Sequence, residues 1–317
     1  MRPLWKDIMA AIWLGMLLPG MILHVFLLTE GTNAEPQQQI SQEEPSRTVR
    51  VLRTGNGIRE TVDINTYLTG VILAEMPACF DMEALKAQSV AARTYTMKAI
   101  LTGGKHGDCS LCDESQCCQG FVTEADFLSR GGTQESVAKV REAVKGTEPL
   151  VLEYEGELIE AVYFSSSGGR TESALAVWGA NFPYLQSVAS PGEITPEYRN
   201  RVRHFTVQEF QERLDIALTD NPEDWFSGIR YTQGGGVESV SICGKEFSGI
   251  QLRSQLELPS TVFSLSAADD AITVVSSGYG HRVGLSQYGA DAMAKNGCSY
   301  EEVLAHYYPG TVLVPME

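Results

Sequence analysis

The chain has 317 residues, with 24 Lys and Arg against 40 Asp and Glu, and therefore a formal net charge of −16. Hydrophobic residues make up 43% and charged residues 20%, a mixture that can bury a core and is too apolar for a disordered chain. The acid excess argues against a nucleic-acid-binding protein, which needs a basic face to neutralise phosphates.

The N-terminal segment is predicted to be a membrane anchor. Residues 8–29 contain no Lys, Arg, Asp or Glu, and 22 residues at 1.5 Å rise span roughly 33 Å, enough for a bilayer core of about 30 Å. Arg2 and Lys6 precede this segment, so residues 1–7 are expected in the cytoplasm and the rest outside. A cleavable signal peptide is the alternative, but its apolar core would be only about 7–15 residues long.

The working part of the protein is expected outside the membrane, as one single-pass chain. Residues 30–46 are polar and rich in Gln, Glu and Pro, which predicts a flexible stalk. Residues 47–317 then form the extracytoplasmic domain. Because the charges of residues 1–34 cancel, the net charge of −16 belongs to the outward-facing part.

In chain order, the patterns after residue 46 mix strands and helices. Alternating polar and apolar residues predict strands at 47–53 and 58–64. Pro77 ends a predicted apolar helix at 66–76, and Asp81 caps a second helix to about residue 101. The next predicted elements are a cysteine-rich loop at 109–118, an amphipathic helix at 134–145, a hairpin at 150–164 turning at 155–156, and a Ser/Gly loop at 165–170.

The second half continues the mixture. Its predicted elements are a helix at 206–218, a hairpin at 237–247, a strand at 271–276, a Gly-rich loop at 278–284, a short helix to about 296, and a last helix from Ser299 that stops before Pro309. Strands and helices are interspersed without regular βαβ alternation, which predicts an α+β fold with its mixed elements around a substrate cleft.

One carboxyl group stands on an apolar helix face. Leu68, Val71, Ile72 and Glu75 fall at i, i+3, i+4 and i+7, so three aliphatic side chains precede a carboxylate on the same face. Burial raises a carboxyl pKa, which would make Glu75 a proton donor near neutral pH. The alternative is a structural Glu at a helix end that reaches past Pro77 to water.

The next helix carries cations among small residues. Lys86 and Arg93 are seven positions apart on one face, where they could accept an acidic substrate group or pair with Glu75. Arg170 is a further local exception to the acidic composition. An ordinary solvated face is the alternative for Lys86 and Arg93.

The cysteine-rich loop predicts a zinc site. Five soft ligands occur within 13 residues: His106, Cys109, Cys112, Cys117 and Cys118. Zinc needs four such ligands and would order a loop that has little core of its own. Disulfides are the alternative, but the chain has seven cysteines, so one thiol would be left over. With no general base beside the cluster, a structural zinc is expected.

Four motifs follow one another along the chain: VILAEMP at 71–77 with EALKAQSVAARTY at 83–95, YFSSSGGRT at 163–171 with WG at 178–179 and PYL at 183–185, GHRVGLSQYGA at 280–290, and HYY at 306–308. Together they resemble the stage II sporulation protein D family, from about residue 48 to the C-terminus. The resemblance is weakest at about 198–248. Arg282, where the family often has Gly, and Phe164, where it often has His, are departures from the family pattern.

The resemblance implies a peptidoglycan lytic transglycosylase that cleaves glycan strands stripped of stem peptides during forespore engulfment. It implies that Glu75 is the catalytic acid, and that zinc is held by His106, Cys112 and Cys118, with Cys117 where a second His may stand. It also implies two partners, an amidase (stage II sporulation protein P) and a membrane protein that recruits the enzyme (stage II sporulation protein M).

A lytic transglycosylase needs one carboxyl group, because the 6-hydroxyl of the sugar attacks its own anomeric carbon. Glu75 would protonate the glycosidic oxygen and then take the proton of that hydroxyl. The lactyl carboxylate of muramic acid would meet Lys86 or Arg93. The remaining substrate-binding candidates are the hydroxyls and amide of Ser165, Ser166, Ser167 and Gln287, the rings of Tyr95 and Tyr288, and His281.

Three other functions are compatible with the sequence. The first is a noncatalytic glycan-binding module that stimulates a separate amidase. The second is a cysteine enzyme that uses Cys79 or a loop thiol with His281. The third is a structural bridge between the membrane and the wall.

Overall fold

Two hydrophobic cores organise the part of the chain that the computed structural model describes, residues 47–193, 196–268 and 271–316. Within these ranges no helix combines the length and the apolar character needed to cross a membrane. The predicted anchor at 8–29 and the predicted stalk at 30–46 lie outside the described residues.

The first core is built around two helices that follow a β-hairpin. Strands β1 (Thr48–Arg53) and β2 (Ile58–Asp63) pair antiparallel and lead directly into α1 (Ile64–Glu75) and α2 (Met82–Thr102). Asp63 caps α1 and Asp81 caps α2, each accepting hydrogen bonds from backbone N–H groups of the first turn. These elements confirm the predicted strands and helices.

Further elements complete this core on both sides of a long insertion. They are β3 (Leu111–Cys112), α3 (Glu124–Ser129), α4 (Gln134–Lys145), β4 (Leu150–Tyr154), β5 (Glu157–Leu158), β6 (Tyr163–Phe164), α5 (Ala174–Trp178), and, after the insertion, β13 (Leu285–Ser286), α8 (Gln287–Lys295), α9 (Tyr300–Tyr307) and β14 (Val312–Pro315). The predicted helices at 134–145, before 296 and after Ser299 are confirmed. A capping box at Ser299 and Glu302 begins α9.

The predicted hairpin at 150–164 is only half right. The turn lies at Glu155 and Gly156, as expected, and β4 pairs antiparallel with β5. The return strand, however, ends at Leu158, and β6 instead pairs parallel with β13. This pairing brings the loop after β6 beside the Gly-rich loop before β13, although more than a hundred residues separate them.

The second core belongs to residues 201–277, which we call the inserted module. Its elements are β7 (Arg201–Thr206), α6 (Val207–Leu214), β8 (Phe226–Tyr231), β9 (Val237–Ile242), β10 (Lys245–Ser248), α7 (Gly249–Gln255), β11 (Val262–Ala268) and β12 (Ala271–Ser277). The sheets run β10-β9-β8 and β11-β12-β7. The predicted β9–β10 hairpin and the strand at 271–276 are confirmed, whereas α6 stops at Leu214 because Asp215 adopts a left-handed conformation.

Arg282 ties the inserted module to the first core. Its side chain is 1% exposed, and its guanidinium donates to the backbone carbonyls of Ser167 (2.7 Å), Arg170 (2.7 Å) and Gly234 (2.6 Å) and to the carboxylate of Glu172 (3.1 Å). A Gly at position 282 could make none of these side-chain bonds. The departure from the family pattern is therefore structural.

Glu172, in the first core, also forms hydrogen bonds to the inserted module. Its Oε1 accepts hydrogen bonds from the hydroxyl of Thr232 at 2.5 Å and from the backbone N–H of Gly236 at 3.2 Å, both in the turn between β8 and β9. A Cβ at Gly234 would lie 2.5 Å from the Glu172 carboxyl carbon, so this close approach requires glycine. The pair therefore fixes how the two cores meet.

Breaking this pair from one side should destabilise the protein strongly. Arg282→Met leaves the Glu172 carboxylate buried without its cation, and we expect a loss of about 3–5 kcal/mol in the free energy of unfolding by denaturant titration. The double variant Arg282→Met/Glu172→Gln should recover part of that loss. As a control, Arg230→Met breaks only exposed contacts at 3.8–3.9 Å and should cost at most about 1 kcal/mol. Equal effects of Arg282→Met and Arg230→Met would contradict the assignment.

Candidate active site

Glu75 is the last residue of α1 and projects into a cleft. Met76 is extended and Pro77 follows, so the helix cannot continue past the carboxyl group. The side chain is half-buried, and its Oε1 accepts a 2.5 Å hydrogen bond from the backbone N–H of Gly120. Burial raises the pKa of Glu75, and the Gly120 hydrogen bond opposes that rise. Glu75 therefore lines the cleft and is held by the backbone.

The cleft has a volume of about 1100 Å³ and lies between the two cores. The first core contributes Glu75, Ser115, Gln116, Tyr163, Phe164 and Ser165, the Gly-rich loop contributes Tyr279, Gly280 and His281, and the inserted module contributes Arg201, Val202, Arg203, Ile250, Arg253, Ser254, Glu257, Leu258, Pro259 and Ser276. The expected arrangement of mixed elements around a cleft is thus present, and the fold is α+β.

Tyr163 stands beside Glu75 in the cleft wall. Its hydroxyl donates to the side-chain oxygen of Gln119 at 3.0 Å, and Gln119 in turn donates to the Thr96 hydroxyl at 2.9 Å. Burial raises the pKa of Tyr163, and the nearby charge of Glu75 adds to the rise. Tyr163 is therefore a fixed, protonated phenol at neutral pH.

His281 lines the same cleft as a neutral ring. Burial lowers its pKa to about 4, with a further contribution from the positive charge of Arg253. Its Nδ1 accepts a 3.1 Å hydrogen bond from the backbone N–H of Val283, which leaves Nε2 to carry the proton of the neutral ring. The ring contacts those of Phe164 and Trp178. A backbone hydrogen bond to Tyr163 also engages the ring and opposes the fall in its pKa, so His281 is held in the cleft wall without a charge.

A second cluster lies on the loop that leads to Gly120. One ligand atom each of His106, Cys112, Cys117 and Cys118 falls within 4.8 Å of the others. The His106 Nε2 atom is 3.3 Å from the Cys118 Sγ atom and 3.5 Å from the Cys117 Sγ atom, and the two Sγ atoms are 3.9 Å apart. The edges of a tetrahedral zinc site are about 3.6–3.8 Å long. One nitrogen and three sulfurs in this geometry fit zinc.

The cluster contains the four residues that the sequence singled out and omits the fifth. Cys109 is fully buried, and its thiol lies 3.9 Å from an oxygen of the Asp108 carboxylate rather than in the cluster. All seven cysteines are free, so the disulfide alternative is not supported. Strand β3 pairs parallel with β1 and places Cys112 in the cluster.

The cluster is joined to the cleft by two residues of chain. Gln119 and Gly120 directly follow Cys118, and they bind Tyr163 and Glu75 respectively. A group that orders the cluster would therefore act on the hydrogen-bond partners of both cleft side chains. Sequence reasoning missed Tyr163, Gln119 and Gly120, although their position next to motif residues was a usable signal.

Some predicted substrate ligands have structural roles instead. The hydroxyls of Ser166 and Ser167 each donate to a carboxylate oxygen of Glu193 at 2.5 Å, and both serines are fully buried. Only Ser165 of the three lines the cleft. Gln287 is also buried, and its amide nitrogen lacks a hydrogen-bond partner among the described residues.

The predicted cations do not face the cleft. Arg93 is buried and donates to the backbone carbonyls of Val144, Thr147 and Leu150, so it holds the start of β4 rather than a substrate. Lys86 pairs with Glu83 at 2.6 Å.

Three other predicted substrate ligands, Arg170, Tyr288 and Tyr95, contact parts of the protein outside the cleft. Arg170 donates to the hydroxyl and carbonyl oxygens of Ser187. Tyr288 donates to Glu197 at 3.0 Å. Tyr95 is half-buried against the first core, and burial and the nearby Cys118 raise its pKa. None of the three is part of the cleft lining of the described chain.

The cysteine-enzyme alternative is not supported. Cys79 is exposed and does not line the cleft that holds His281. The loop thiols of Cys112, Cys117 and Cys118 gather around His106 instead.

The fold and the site define an α+β protein with a partly buried glutamate in a cleft and a histidine–cysteine cluster behind it. A family model described as "Stage II sporulation protein" matches residues 53–154. The chain is 37% identical to Stage II sporulation protein D of Bacillus subtilis (strain 168) over 268 residues, which cover 83% of this chain and 78% of that protein. The chain belongs to the stage II sporulation protein D family, a family of sporulation proteins.

Two further relatives show how widely the sequence is shared. Stage II sporulation protein D of Bacillus amyloliquefaciens is 36% identical over 289 residues, covering 89% of this chain and 82% of that protein. A protein of Bacillus subtilis (strain 168) named "Amidase enhancer" is 30% identical over 306 residues, covering 78% of this chain and 40% of that protein.

The raised pKa of Glu75 predicts a pH-dependent stability difference. Below its ordinary value of 4.5 the carboxyl is protonated in both the folded and unfolded states, so Glu75→Gln should have little effect. As the pH rises through the folded pKa, the wild type loses the contribution of Glu75 while the variant has no such contribution to lose, so Glu75→Gln should become the more stable protein. Melting temperatures at about pH 4 and pH 7 test this expectation.

Glu257→Gln is the matched control for that experiment. Its carboxylate also lines the cleft, but hydrogen bonding to Arg203 lowers its pKa. The variant should therefore lose stability relative to the wild type as the pH rises, which is the opposite sign. The same sign for both variants would contradict the burial of Glu75.

Proposed function

We propose that the protein is a lytic transglycosylase that cleaves peptide-free glycan strands of peptidoglycan during forespore engulfment. The observation that supports this proposal most directly is the state of Glu75, a half-buried carboxyl whose pKa is raised by burial and which the Gly120 N–H fixes in the cleft. A carboxyl of this kind stays protonated closer to neutral pH and can donate its proton.

The reaction uses one carboxyl group twice. Glu75 donates its proton to the glycosidic oxygen as the bond from that oxygen to the anomeric carbon breaks. The 6-hydroxyl oxygen of the same muramic sugar then bonds to the anomeric carbon, and its proton returns to Glu75. The product is a 1,6-anhydromuramyl end, no water is consumed, and the enzyme regains its protonated carboxyl.

The other carboxylate of the cleft is poorly suited to a hydrolase pair. Glycosidases that use water place a second carboxylate as base or nucleophile. Glu257 is exposed and bonded by Arg203 at 3.0 Å, with Arg213 at 3.5 Å, and these cations lower its pKa. An engaged, weakly basic carboxylate favours a reaction in which Glu75 acts alone.

Tyr163 and His281 support the same reaction by positioning. Both line the cleft, both are uncharged at neutral pH, and both rings are held by the protein. In the proposed complex the Tyr163 hydroxyl oxygen accepts a hydrogen bond from a sugar hydroxyl, because its own proton is donated to Gln119, and the uncharged His281 ring contacts the sugar. Ser165 and the exposed Tyr279 offer further polar and stacking surface in the same cleft.

We further propose that zinc occupies the cluster of His106, Cys112, Cys117 and Cys118 and has a structural role. Zinc would replace the thiol protons and fix four side chains of a loop with little core of its own. That loop runs into Gly120, so the four residues, when they hold the ion, would position Glu75 through the Gly120 backbone N–H.

The proposed setting follows from the sequence. Residues 8–29 anchor the protein in the cell membrane, residues 30–46 act as a stalk, and the described domain works outside. An amidase, stage II sporulation protein P, prepares the stripped strands, and a membrane protein, stage II sporulation protein M, recruits the enzyme.

A noncatalytic role is the second candidate. The 30% identity to a protein named "Amidase enhancer" favours a glycan-binding module that stimulates a separate amidase. In that case Glu75 would contribute to the cleft surface without transferring a proton.

Glu75→Gln separates the two functions. For a transglycosylase the variant should stay folded and lose at least about a hundredfold of its activity, because general acid–base catalysis contributes roughly 10²–10⁴-fold. The measurement is mass spectrometry of the products from peptide-free glycan, where anhydro ends are one water lighter than hydrolysed ends. The Glu257→Gln variant serves as the control with an intact Glu75. Wild-type protein that stimulates an amidase without releasing anhydro products would favour the second candidate.

Metal analysis of two cysteine variants tests the zinc proposal. The wild type should contain one zinc per chain, and Cys112→Ser should lower zinc affinity more than about a hundredfold and reduce the melting temperature. Cys109→Ser, a change of another buried thiol outside the cluster, should keep its zinc. Full zinc content in Cys112→Ser would rule out the proposed ligand set.

A further inference from the structure

Two arginines of the cleft wall, Arg201 and Arg253, make no side-chain hydrogen bond or ion pair within the described chain, and of the two only Arg253 is half-buried. Arg253 lies in α7 of the inserted module and lines the same cleft as Glu75 and His281. Its side chain is half-buried, and it forms neither a hydrogen bond nor an ion pair with any residue that the structure describes. The neighbouring Arg203 differs, because it is bonded to the carboxylate and carbonyl of Glu257.

The surroundings of Arg253 leave its charge uncompensated. Burial lowers the pKa of Arg253, so the charged guanidinium has lost hydration without gaining a carboxylate in return. Its positive charge reaches His281, whose pKa it helps to lower. In an acidic chain with 40 Asp and Glu, a half-buried arginine without a carboxylate partner points to a ligand that supplies one.

Glu75 is not that partner. The two side chains line one cleft but form no ion pair, and the causes that set the pKa of Glu75 are its burial and the Gly120 hydrogen bond. A neighbouring guanidinium bonded to Glu75 would instead lower this pKa and remove its use as an acid. The cleft therefore keeps its acid and the half-buried cation Arg253 separate.

We propose that Arg253 binds the lactyl carboxylate of a muramic residue in the glycan strand and so selects strands that have lost their stem peptides. The inference rests on the proposed function. In an intact strand the lactyl group is an uncharged amide, whereas removal of the peptide exposes a carboxylate. The planar fork of a guanidinium matches a carboxylate through two parallel hydrogen bonds. Arg253 thereby replaces Lys86 and Arg93, which bond elsewhere.

The test compares two glycans that differ only in that charge. The full-length Glu75→Gln protein, which binds without turnover, is mixed with peptide-free glycan and with the same glycan after its lactyl carboxyls are converted to methylamides. It should bind the carboxylate form roughly ten- to a hundredfold more tightly, the range of hydrogen bonds to charged groups. Adding Arg253→Met should lower affinity for the carboxylate form to that of the methylamide form and leave the methylamide affinity unchanged.

Two more variants test whether the preference depends on Arg253 itself or only on the loss of a positive charge. Arg230→Met removes the same charge from an exposed site of the inserted module and should leave the preference intact. Arg253→Lys keeps the charge without the fork and should retain part of the preference. An equal loss for both glycans in Arg253→Met, an unchanged preference, or no binding of either glycan by the Glu75→Gln protein would overturn the inference.

The measurements distinguish a wrong transglycosylase assignment from a wrong role of Arg253. If the wild type releases no anhydro ends but its binding depends on both Arg253 and the lactyl carboxylate, the transglycosylase assignment is wrong and Arg253 still recognises the strand. If anhydro ends form but Arg253→Met does not change the preference between the two glycans, the reaction stands and the role of Arg253 is wrong.

Discussion

The ion pair between Arg282 and Glu172 is the constraint on which the relative placement of the two cores depends. Both side chains are almost fully buried, with 1% and 2% exposed, and their other bonds reach the serine-containing loop and the turn between β8 and β9. Such a pair is expensive to bury unless the remaining donors are satisfied, and here three backbone carbonyls and the Thr261 hydroxyl accept from Arg282, whereas Oε2 of Glu172 has no hydrogen-bond partner among the described residues. Because the inserted module is attached here, one wall of the cleft can face Glu75 with Arg253.

The site itself depends on groups that the fold leaves uncompensated. Glu75 is half-buried with one backbone donor, and Arg253 is half-buried with no partner among the described residues. Each would be more stable if paired with the other. Keeping them apart maintains an acid with a raised pKa and a cation available for a ligand. The cysteine cluster lies on the loop whose Gly120 N–H holds Glu75, and none of its four residues lines the cleft.

Local signals predicted the helices and several strands because their causes lie within a few residues. Asp63, Asp81 and Ser299 cap helices by bonding to the next turn, and Pro77 ends one by removing a donor. The prediction of a hairpin at 150–164 was wrong in its second half because β6 pairs with residues 285–286. No local pattern can show a pairing with so distant a segment. The prediction that Arg93 binds substrate was wrong for the same reason. Arg93 donates to backbone carbonyls within residues 144–150, about fifty positions away in the chain.

The sequence by itself determined the α+β class, the family, the position of Glu75 on an apolar face and the four clustered residues His106, Cys112, Cys117 and Cys118, since each depends on residue type and short spacing. Only the tertiary structure decided which groups share the cleft. Tyr163, His281, Glu75 and Arg253 come from four separate segments, and their meeting depends on the parallel β6–β13 pair and on the buried Arg282–Glu172 bond. Serine motif residues that looked like sugar ligands instead bond to Glu193, because burial requires each hydroxyl to find a partner within the protein.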